Sequence, residues 1–196
     1  MKIYTVGASV FATNTYLVVD EMTNKAVLID PDGNGKQIAS LIDKNGFSLE
    51  AILLTHGHFD HIGAVDALTE MKKVPVYIHA KDEELLNDGA KNASSVFFGG
   101  KGVLCKTKPR LIKDTDTLVF GELKFVVMET PGHTRGSVCY FAGDAVFTGD
   151  TFFADGYGRT DLYGGNEQIL LHSLRKLVTC LKGKRAYPGH GETVDV

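Results

Sequence analysis

Thr55–His61 reads Thr-His-Gly-His-Phe-Asp-His and follows directly on an apolar run. Imidazole nitrogens and carboxylate oxygens are ligands that zinc, iron and manganese accept in proteins. Alternate residues of an extended segment point to the same side, so we expect His56 and His58 to bind one ion. Asp60 and His61 follow where the chain turns, and they would face a second position close by. The spacing therefore predicts two metal ions rather than one.

The competing interpretation of this stretch is an exposed polar turn in which histidines occur by chance. The chain has seven histidines in 196 residues, and three of them stand at i, i+2 and i+5 with an aspartate between them. Such a cluster is improbable from composition alone, and we favour the metal site.

Three further candidate ligands lie downstream, each just after a predicted strand. They are His133 in Pro-Gly-His-Thr, Asp150 in Gly-Asp-Thr and His190 in Pro-Gly-His-Gly. A histidine or aspartate in such a turn is unremarkable by itself. The order in which they follow the first cluster is what makes them candidates.

The pattern His-x-His-x-Asp-His, followed by these three segments, resembles the signature of the metallo-β-lactamase-fold hydrolases. Within that superfamily the chain is similar to the hydroxyacylglutathione hydrolase (glyoxalase II) type. Gly-Arg-Thr-Asp at residues 158–161 is similar to a segment of small, single-domain glyoxalase II-like proteins. The resemblance covers nearly the whole chain, from the N-terminal strands to His190.

The resemblance implies an α/β (α+β) fold, the four-layer αββα sandwich of two mixed β-sheets flanked by helices. It also implies two divalent metal ions, zinc first, with iron or manganese as alternatives. The implied ligands are His56, His58 and His133 for the first ion, Asp60, His61 and His190 for the second, and Asp150 with a hydroxide between them. Asp60 would also orient the hydroxide, and no protein nucleophile is needed.

A metal-dependent thioester hydrolase is the function that this resemblance favours. β-Lactamases of the fold typically use a cysteine near the position of Asp150, and Cys105, Cys139 and Cys180 all lie elsewhere, which argues against drug hydrolysis. The alternative is a sulfur (persulfide) dioxygenase with one iron ion. A non-enzymatic metal-binding scaffold is a further alternative, against which the complete ligand set argues.

Substrate contacts are less clearly marked in the sequence than metal ligands. Glyoxalase II enzymes usually carry a C-terminal helical extension with cationic contacts to glutathione, whereas this sequence stops six residues after His190. We therefore expect weak selectivity for the carrier thiol. Arg135 and Arg159 are candidates for pairing with a substrate carboxylate, although an internal ion pair is favoured for Arg159. Phe97 and Phe98 lie in a long glycine-rich connection, residues 89–103, that is either a surface loop or a flap over the site.

Composition and charge limit the other possibilities. With 43% hydrophobic and 23% charged residues, residues 1–196 are expected to form one globular domain. The formal charge of −3 and pI near 6.1 argue against a nucleic-acid partner. Three widely spaced cysteines and the absence of an N-terminal signal or a long apolar run predict a cytoplasmic protein without a membrane partner. The expected partner is a small-molecule thioester, and the oligomeric state stays open.

Apolar periodicity and turn residues predict the secondary structure. The predicted strands are residues 2–6, 15–19, 26–29, 50–55, 74–79, 117–120, 123–129, 137–141, 145–148 and 185–187. Helices are predicted around residues 38–46, after His61, over 81–88 and over 167–181. The buried stripe of the last helix is predicted to be Leu170, Leu174, Leu177, Val178 and Leu181. His79 and His172 are interpreted as structural or exposed rather than as ligands.

Overall fold

The computed structural model describes residues 1–6, 10–100 and 102–196, which form two β-sheets packed face to face with helices on both outer surfaces. This is the four-layer αββα sandwich that the resemblance implied. The first sheet has the strand order β1-β2-β3-β4-β5-β6, and the second has β12-β11-β10-β9-β8-β7. Both sheets are mixed, as expected.

The first sheet is antiparallel from β1 to β3 and parallel from β3 to β6. Its strands are β1 Lys2–Val6, β2 Thr15–Val19, β3 Lys25–Ile29, β4 Ser48–Leu53, β5 Val76–His79 and β6 Arg110–Ile112.

The second sheet is antiparallel apart from one parallel pair, β10 with β11. Its strands are β7 Thr117–Phe120, β8 Leu123–Glu129, β9 Val138–Ala142, β10 Ala145–Gly149, β11 Arg185–Pro188 and β12 Val194–Asp195. Because β8, β10 and β11 run in the same direction, their carboxyl ends meet at one edge.

The helices cover the outer faces of the sheets or join strands at the edge. They are α1 Gly35–Lys44, α2 Phe59–Ile62, α3 Val65–Lys72, α4 Glu83–Leu86, α5 Ser94–Phe98 and α6 Glu167–Leu181, and a 3₁₀ turn, Ala80–Asp82, precedes α4. Asn34 caps α1 and Asn166 caps α6, since each side chain accepts backbone N–H bonds of the first turn.

Strand β2 contributes side chains to two apolar cores, one on each face of the first sheet. Tyr16 and Val18 face the second sheet, whereas Leu17 and Val19 face α1 and α3 on the outer side. Both sets are buried because helices cover the outer face, which explains why β2 and β3 are apolar runs without alternation. A third apolar cluster joins β9 and β10 to α6.

The structure corrects several details of the predicted elements. The connection 89–103 contains the short helix α5, and strands β6 and β12 were not predicted. Both missed strands are only two or three residues long and carry exposed residues, so neither has a clear apolar pattern. In α6 the buried face runs through Leu170, Ser173, Leu177 and Leu181, while Val178 is 42% exposed, so its place in the predicted stripe is wrong.

The two remaining histidines are structural or exposed, as was expected. His79 is buried and lies 2.7 Å from Glu129 through its Nε2 atom. His172 is exposed on α6. None of the described helices has both the length and the apolar character needed to cross a bilayer.

The buried face of α6 can be tested by a pair of neighbouring substitutions. Leu177→Ala should lower the free energy of unfolding by about 2–5 kcal/mol, because Leu177 is fully buried against β9 and β10. Val178→Ala is the control and should change it by about 0.5 kcal/mol or less. Urea denaturation measures both values. Equal losses would contradict the observed helix orientation and favour the stripe expected from sequence.

Candidate metal centre

The predicted ligands converge at one edge of the sandwich. Residues 55–61 follow β4, and the loops after β8, β10 and β11 bring His133, Asp150 and His190 to the same edge. The sequence positions of these residues are far apart, but the carboxyl ends of the strands that precede them meet in space. The structure therefore groups all seven predicted ligands.

The first group consists of His56, His58 and His133, all of them buried. His133 Nε2 lies 2.9 Å from His58 Nδ1 and 3.3 Å from His56 Nε2. Ligand nitrogens of a tetrahedral zinc site, each about 2.0–2.1 Å from the ion, are separated by about 3.3 Å. Both separations are thus close to the spacing that a small divalent ion requires.

The second group consists of Asp60, His61 and His190. Asp60 Oδ2 lies 3.3 Å from His190 Nε2 and 3.6 Å from His61 Nε2. Asp150 reaches both groups, because its Oδ2 atom is 3.5 Å from His133 Nε2 and 3.5 Å from His190 Nε2, and its Oδ1 atom is 3.4 Å from His61 Nε2. Asp150 therefore occupies the position of a group shared by two ions.

Two imidazoles of the first group, His56 and His58, are held in the neutral form. Burial lowers the pKa of His56 well below its usual value, and His61 and His133 lower it further. Burial likewise lowers the pKa of His58 to about 3, together with the neighbouring His133. A neutral imidazole has the lone pair that a metal ligand needs.

The second group has strong opposite charges. Burial acts to raise the pKa of Asp60, but His61 and His190 outweigh it and the value is about 2. Burial acts to lower the pKa of His61, but Asp60, Asp150 and Asp30 raise it to about 9. The pKa of His190 rises to about 10 through hydrogen bonds to Asp150 and Asp60, against the effect of burial. A divalent cation bound to the same atoms would replace these protons as the compensating charge.

Atoms without hydrogen-bond partners provide an independent test of whether metal ions fit. Among the described residues, the buried side-chain atoms without a partner are His58 Nε2, His61 Nε2 and Asp150 Oδ1. The last two face each other at 3.4 Å across the second group. Buried polar atoms are normally paired, and a cation bound between His61 Nε2 and Asp150 Oδ1 would satisfy both atoms. The donor set fits two divalent ions.

Asp30 and Thr55 set the orientation of two imidazoles. Asp30 accepts hydrogen bonds from Thr55 Oγ1 at 2.6 Å and from the backbone N–H of Thr55 at 2.7 Å, and its Oδ2 atom lies 3.0 Å from His61 Nδ1. Thr55 Oγ1 donates to Asp30, so it accepts from His56 Nδ1 at 3.1 Å. The Nε2 atoms of both histidines are then left as acceptors that point into the site. Asp30 also lies within ligand distance of His56 and His61, but its oxygens already have these partners.

Asp82 holds together the two loops that carry His58 and His133. Its fully buried carboxylate accepts from Gly57 N at 3.0 Å, Thr134 Oγ1 at 2.7 Å and Gly136 N at 2.7 Å. The backbone approaches so closely that a Cβ atom at Gly136 would lie 2.7 Å from the carboxylate. Asp82 therefore sets the separation of the two loops.

A cavity of about 270 Å³ opens over the ligands. Phe97 and Arg159 line it, as predicted for substrate contacts, and Phe98 lines a smaller adjacent cavity of about 160 Å³. The Arg159 guanidinium makes two 2.7 Å hydrogen bonds to Asp161, which confirms the expected internal pair.

Arg135 is not among the residues that line this cavity. Its guanidinium lies 3.9 Å from Glu84 and stacks over Tyr163 at 5.1 Å. It follows His133 closely in sequence, but Glu84 and Tyr163 hold its side chain against a different surface. The structure gives Arg135 no contact with the proposed substrate space.

Sequence reasoning missed Asp30, Thr55 and Asp82 as parts of the site. Asp30 directly follows β3, the strand parallel to β4, and so lies at the same edge as Thr55. That adjacency is the signal that could have identified it. Asp82 lies in the predicted helix over residues 81–88, and nothing in the sequence marks it as buried.

A family model described as the metallo-beta-lactamase superfamily matches residues 8–190. The chain therefore belongs to the metallo-beta-lactamase superfamily. Among curated relatives, a probable metallo-hydrolase of Bacillus subtilis, YqgX, is 39% identical over 186 residues, which are 93% of this chain and 87% of the relative. Membership and the ligand cluster together support a metal-dependent hydrolase.

Two solved structures share the fold over nearly their whole length. The BLEG-1 B3 metallo-beta-lactamase has a TM-score of 0.92 at 35% identity, covering 98% of this chain and 93% of that one. TTHA1623 in a di-iron-bound form has a TM-score of 0.86 at 34% identity, covering 98% and 94%. None of these names specifies a thioester substrate.

Asp82→Asn should weaken zinc binding by the first ligand group by about tenfold to a hundredfold, the range for partners that position ligands. In the variant, the amide places an NH₂ group opposite backbone N–H and hydroxyl donors, and this group cannot accept their hydrogen bonds. The loops that carry His58 and His133 should therefore move apart. Competition with a chromophoric chelator measures the affinity.

Asp144→Asn is the control, because Asp144 is an exposed carboxylate at a strand turn. The second ligand group does not contact Asp82 and should keep its affinity, which also shows that the variant is folded. An unchanged first affinity would contradict the positioning role.

Proposed function

We propose that the chain is a hydrolase of thioesters that uses two divalent metal ions. Zinc is the metal expected first. Iron and manganese are the alternatives, and the di-iron-bound form of TTHA1623 supports iron. The observation that carries the proposal is the pair of ligand groups linked by Asp150 at the floor of a cavity. Two ions so held would lower the pKa of a shared water and stabilise the oxyanion formed on the acyl carbonyl.

The residues that line the cavity support water as the nucleophile. Among the described lining residues, none carries a hydroxyl or thiol group. Burial raises the pKa of Cys105 and of Cys139 to about 12, so neither is a reactive thiolate. A hydrolase that needs no protein nucleophile fits this lining, whereas a covalent thioesterase does not.

Asp60 is the residue proposed to orient the water. Its Oδ2 atom accepts a hydrogen bond from Thr13 Oγ1 at 3.1 Å and lies against both histidines of the second group. These contacts fix the carboxylate, which stays ionised because of the neighbouring imidazoles. Asp60 is thus placed to accept a hydrogen bond from water rather than to act as an independent base.

The cavity suggests that the acyl part, and not the carrier, is recognised. Its volume of about 270 Å³ is smaller than the space that drug-sized ligands usually occupy. The two arginines considered for carboxylate binding are already paired with Asp161 and Glu84. Since a hydrogen bond to a charged group contributes about 1.5–3 kcal/mol, weak carrier selectivity is expected.

β-Lactam hydrolysis is a second candidate function. The absence of a cysteine near Asp150 argued against it, but a B3 metallo-beta-lactamase has a TM-score of 0.92 with this chain. The same water activation would serve an amide carbonyl in a strained ring.

The sulfur dioxygenase alternative needs one iron, and two complete ligand groups favour the hydrolase over it. They also argue against a scaffold without activity.

The remaining expectations concern partners and location. A small-molecule thioester is the proposed partner, with no nucleic acid and no membrane surface, in line with the net charge of −3. A cytoplasmic location stays a prediction.

The carrier can be tested by comparing S-lactoylglutathione with lactoyl thioesters of smaller thiols at matched concentrations. The values of kcat/KM should differ by less than about tenfold, because no charge-assisted hydrogen bond to glutathione is expected. Thiol release monitored with a chromogenic reagent gives the rates.

A preference of about several hundredfold for the glutathione ester would contradict weak selectivity. Parallel assays decide between the functions: oxygen uptake with glutathione persulfide would favour the dioxygenase, and opening of a β-lactam without thioester turnover would favour the lactamase.

A further inference from the structure

Four phenylalanines from three separate segments form one cluster beside the metal ligands. Phe11, Phe59, Phe97 and Phe98, which we call the phenylalanine wall, have ring centroids 4.8 to 5.7 Å apart in the five contacting pairs. Most of these contacts are edge-to-face, the geometry that stabilises aromatic pairs. Phe59 stands between the ligands His58 and Asp60 in sequence, so the wall begins at the metal site itself.

The wall forms one side of the cavity over the ligands. Phe11, Phe59 and Phe97 line it, and Phe153 and Leu162 line it elsewhere. Yet Phe97 is 50% exposed and Phe98 is 58% exposed. Neighbouring exposed aromatics at the mouth of a cavity mark a binding surface more often than a core. The polar side chains in this space are the metal ligands and Arg159, whose guanidinium is paired with Asp161.

The segment that carries Phe97 and Phe98 is tied down at its base. Asn92 is fully buried and accepts from Ser94 N at 3.0 Å and Ser94 Oγ at 2.6 Å, and its Nδ2 donates to Val103 O at 2.8 Å. Asn92 O accepts from Phe59 N at 3.1 Å, which links the segment to the metal-binding turn. The wall is therefore positioned with respect to the metal ligands, as a specificity element must be.

We propose that the phenylalanine wall is a subsite for an apolar acyl group, so that the preferred substrates are thioesters of straight-chain aliphatic acids rather than of 2-hydroxy acids. This rests on the proposed thioester hydrolysis. The carbonyl lies at the ligands, the carrier thiol points to solvent, and the acyl chain packs on the rings. A 2-hydroxyl group that packs on the rings with the acyl chain would find no hydrogen-bond donor or acceptor among them, and burying it in that way is unfavourable.

The test uses acetyl, butanoyl and hexanoyl thioesters of one small thiol, N-acetylcysteamine, and a matched pair, propanoyl and lactoyl, that differ only by the hydroxyl. In the wild-type protein kcat/KM should rise by about threefold to fourfold per methylene, as expected for burial of a CH₂ group. Propanoyl should be hydrolysed faster than lactoyl.

Phe97→Ala should flatten the chain-length series, and Phe97→Leu should largely restore it. Phe98→Ala should have a smaller effect, because Phe98 supports the wall but lines the adjacent cavity. Leu111→Ala is the control: Leu111 is 49% exposed on the edge strand β6 and does not line the cavity. Its series should match the wild type.

A flat series in the wild type, or faster turnover of lactoyl than of propanoyl, would overturn the subsite. If no thioester is hydrolysed, the proposed function fails while the subsite is still testable by binding. Calorimetric titration should then show hexanoate binding more tightly than acetate, with the difference lost in Phe97→Ala. Equal binding of the two acids would refute the subsite independently of activity.

Discussion

Asp60 and Asp150 lie close together among five imidazoles at one edge of the sandwich, and two neighbouring carboxylates removed from water require positive charge between them. Burial opposes their ionisation, yet the pKa of Asp150 lies well below its usual value because of the surrounding histidines. The cluster therefore has the electrostatic character of a cation site. The hydrogen bonds of Asp30 and Thr55 orient His56 and His61 toward this site.

The two sheets must be held in fixed relative positions, because each contributes ligands to both groups. Two buried tyrosines provide direct links at the site edge. Tyr16 in the first sheet donates to the carbonyl of Pro188 at 2.7 Å, and Tyr140 in the second donates to the carbonyl of Leu54 at 2.8 Å. Asp82 adds a third link through the loops. Ligand positions are therefore fixed by the apolar core and by buried hydrogen bonds, and rigid support of this kind is what precise metal geometry requires.

The sequence was most informative where the chemistry is local. The short stretch 56–61 contains His56, His58, Asp60 and His61, so their residue types and spacing predicted a metal site directly. His133, Asp150 and His190 needed the family pattern, because only the fold brings them near. The apolar strands were predicted well, since burial on both faces leaves a continuous hydrophobic run.

Features set by tertiary contacts were beyond sequence reasoning. Asp30 and Asp82 act through hydrogen bonds to residues 25 to 54 positions away, and neither has a distinctive local pattern. Arg135 was a candidate because of its place beside His133, but Glu84 and Tyr163 determine its direction. Phe97 and Phe98 were candidates from their loop, whereas their contacts with Phe11 and Phe59 depend on how three segments meet.

The most direct test of the central claim is a calorimetric titration of metal-depleted protein with Zn²⁺, carried out on the wild type and on His190→Ala. Two ligand groups should give about two equivalents per chain in the wild type, since seven side-chain ligands exceed what one site takes. His190→Ala should give about one equivalent, because His190 belongs to the second group. One equivalent in the wild type, or loss of both in the variant, would contradict the two-group account.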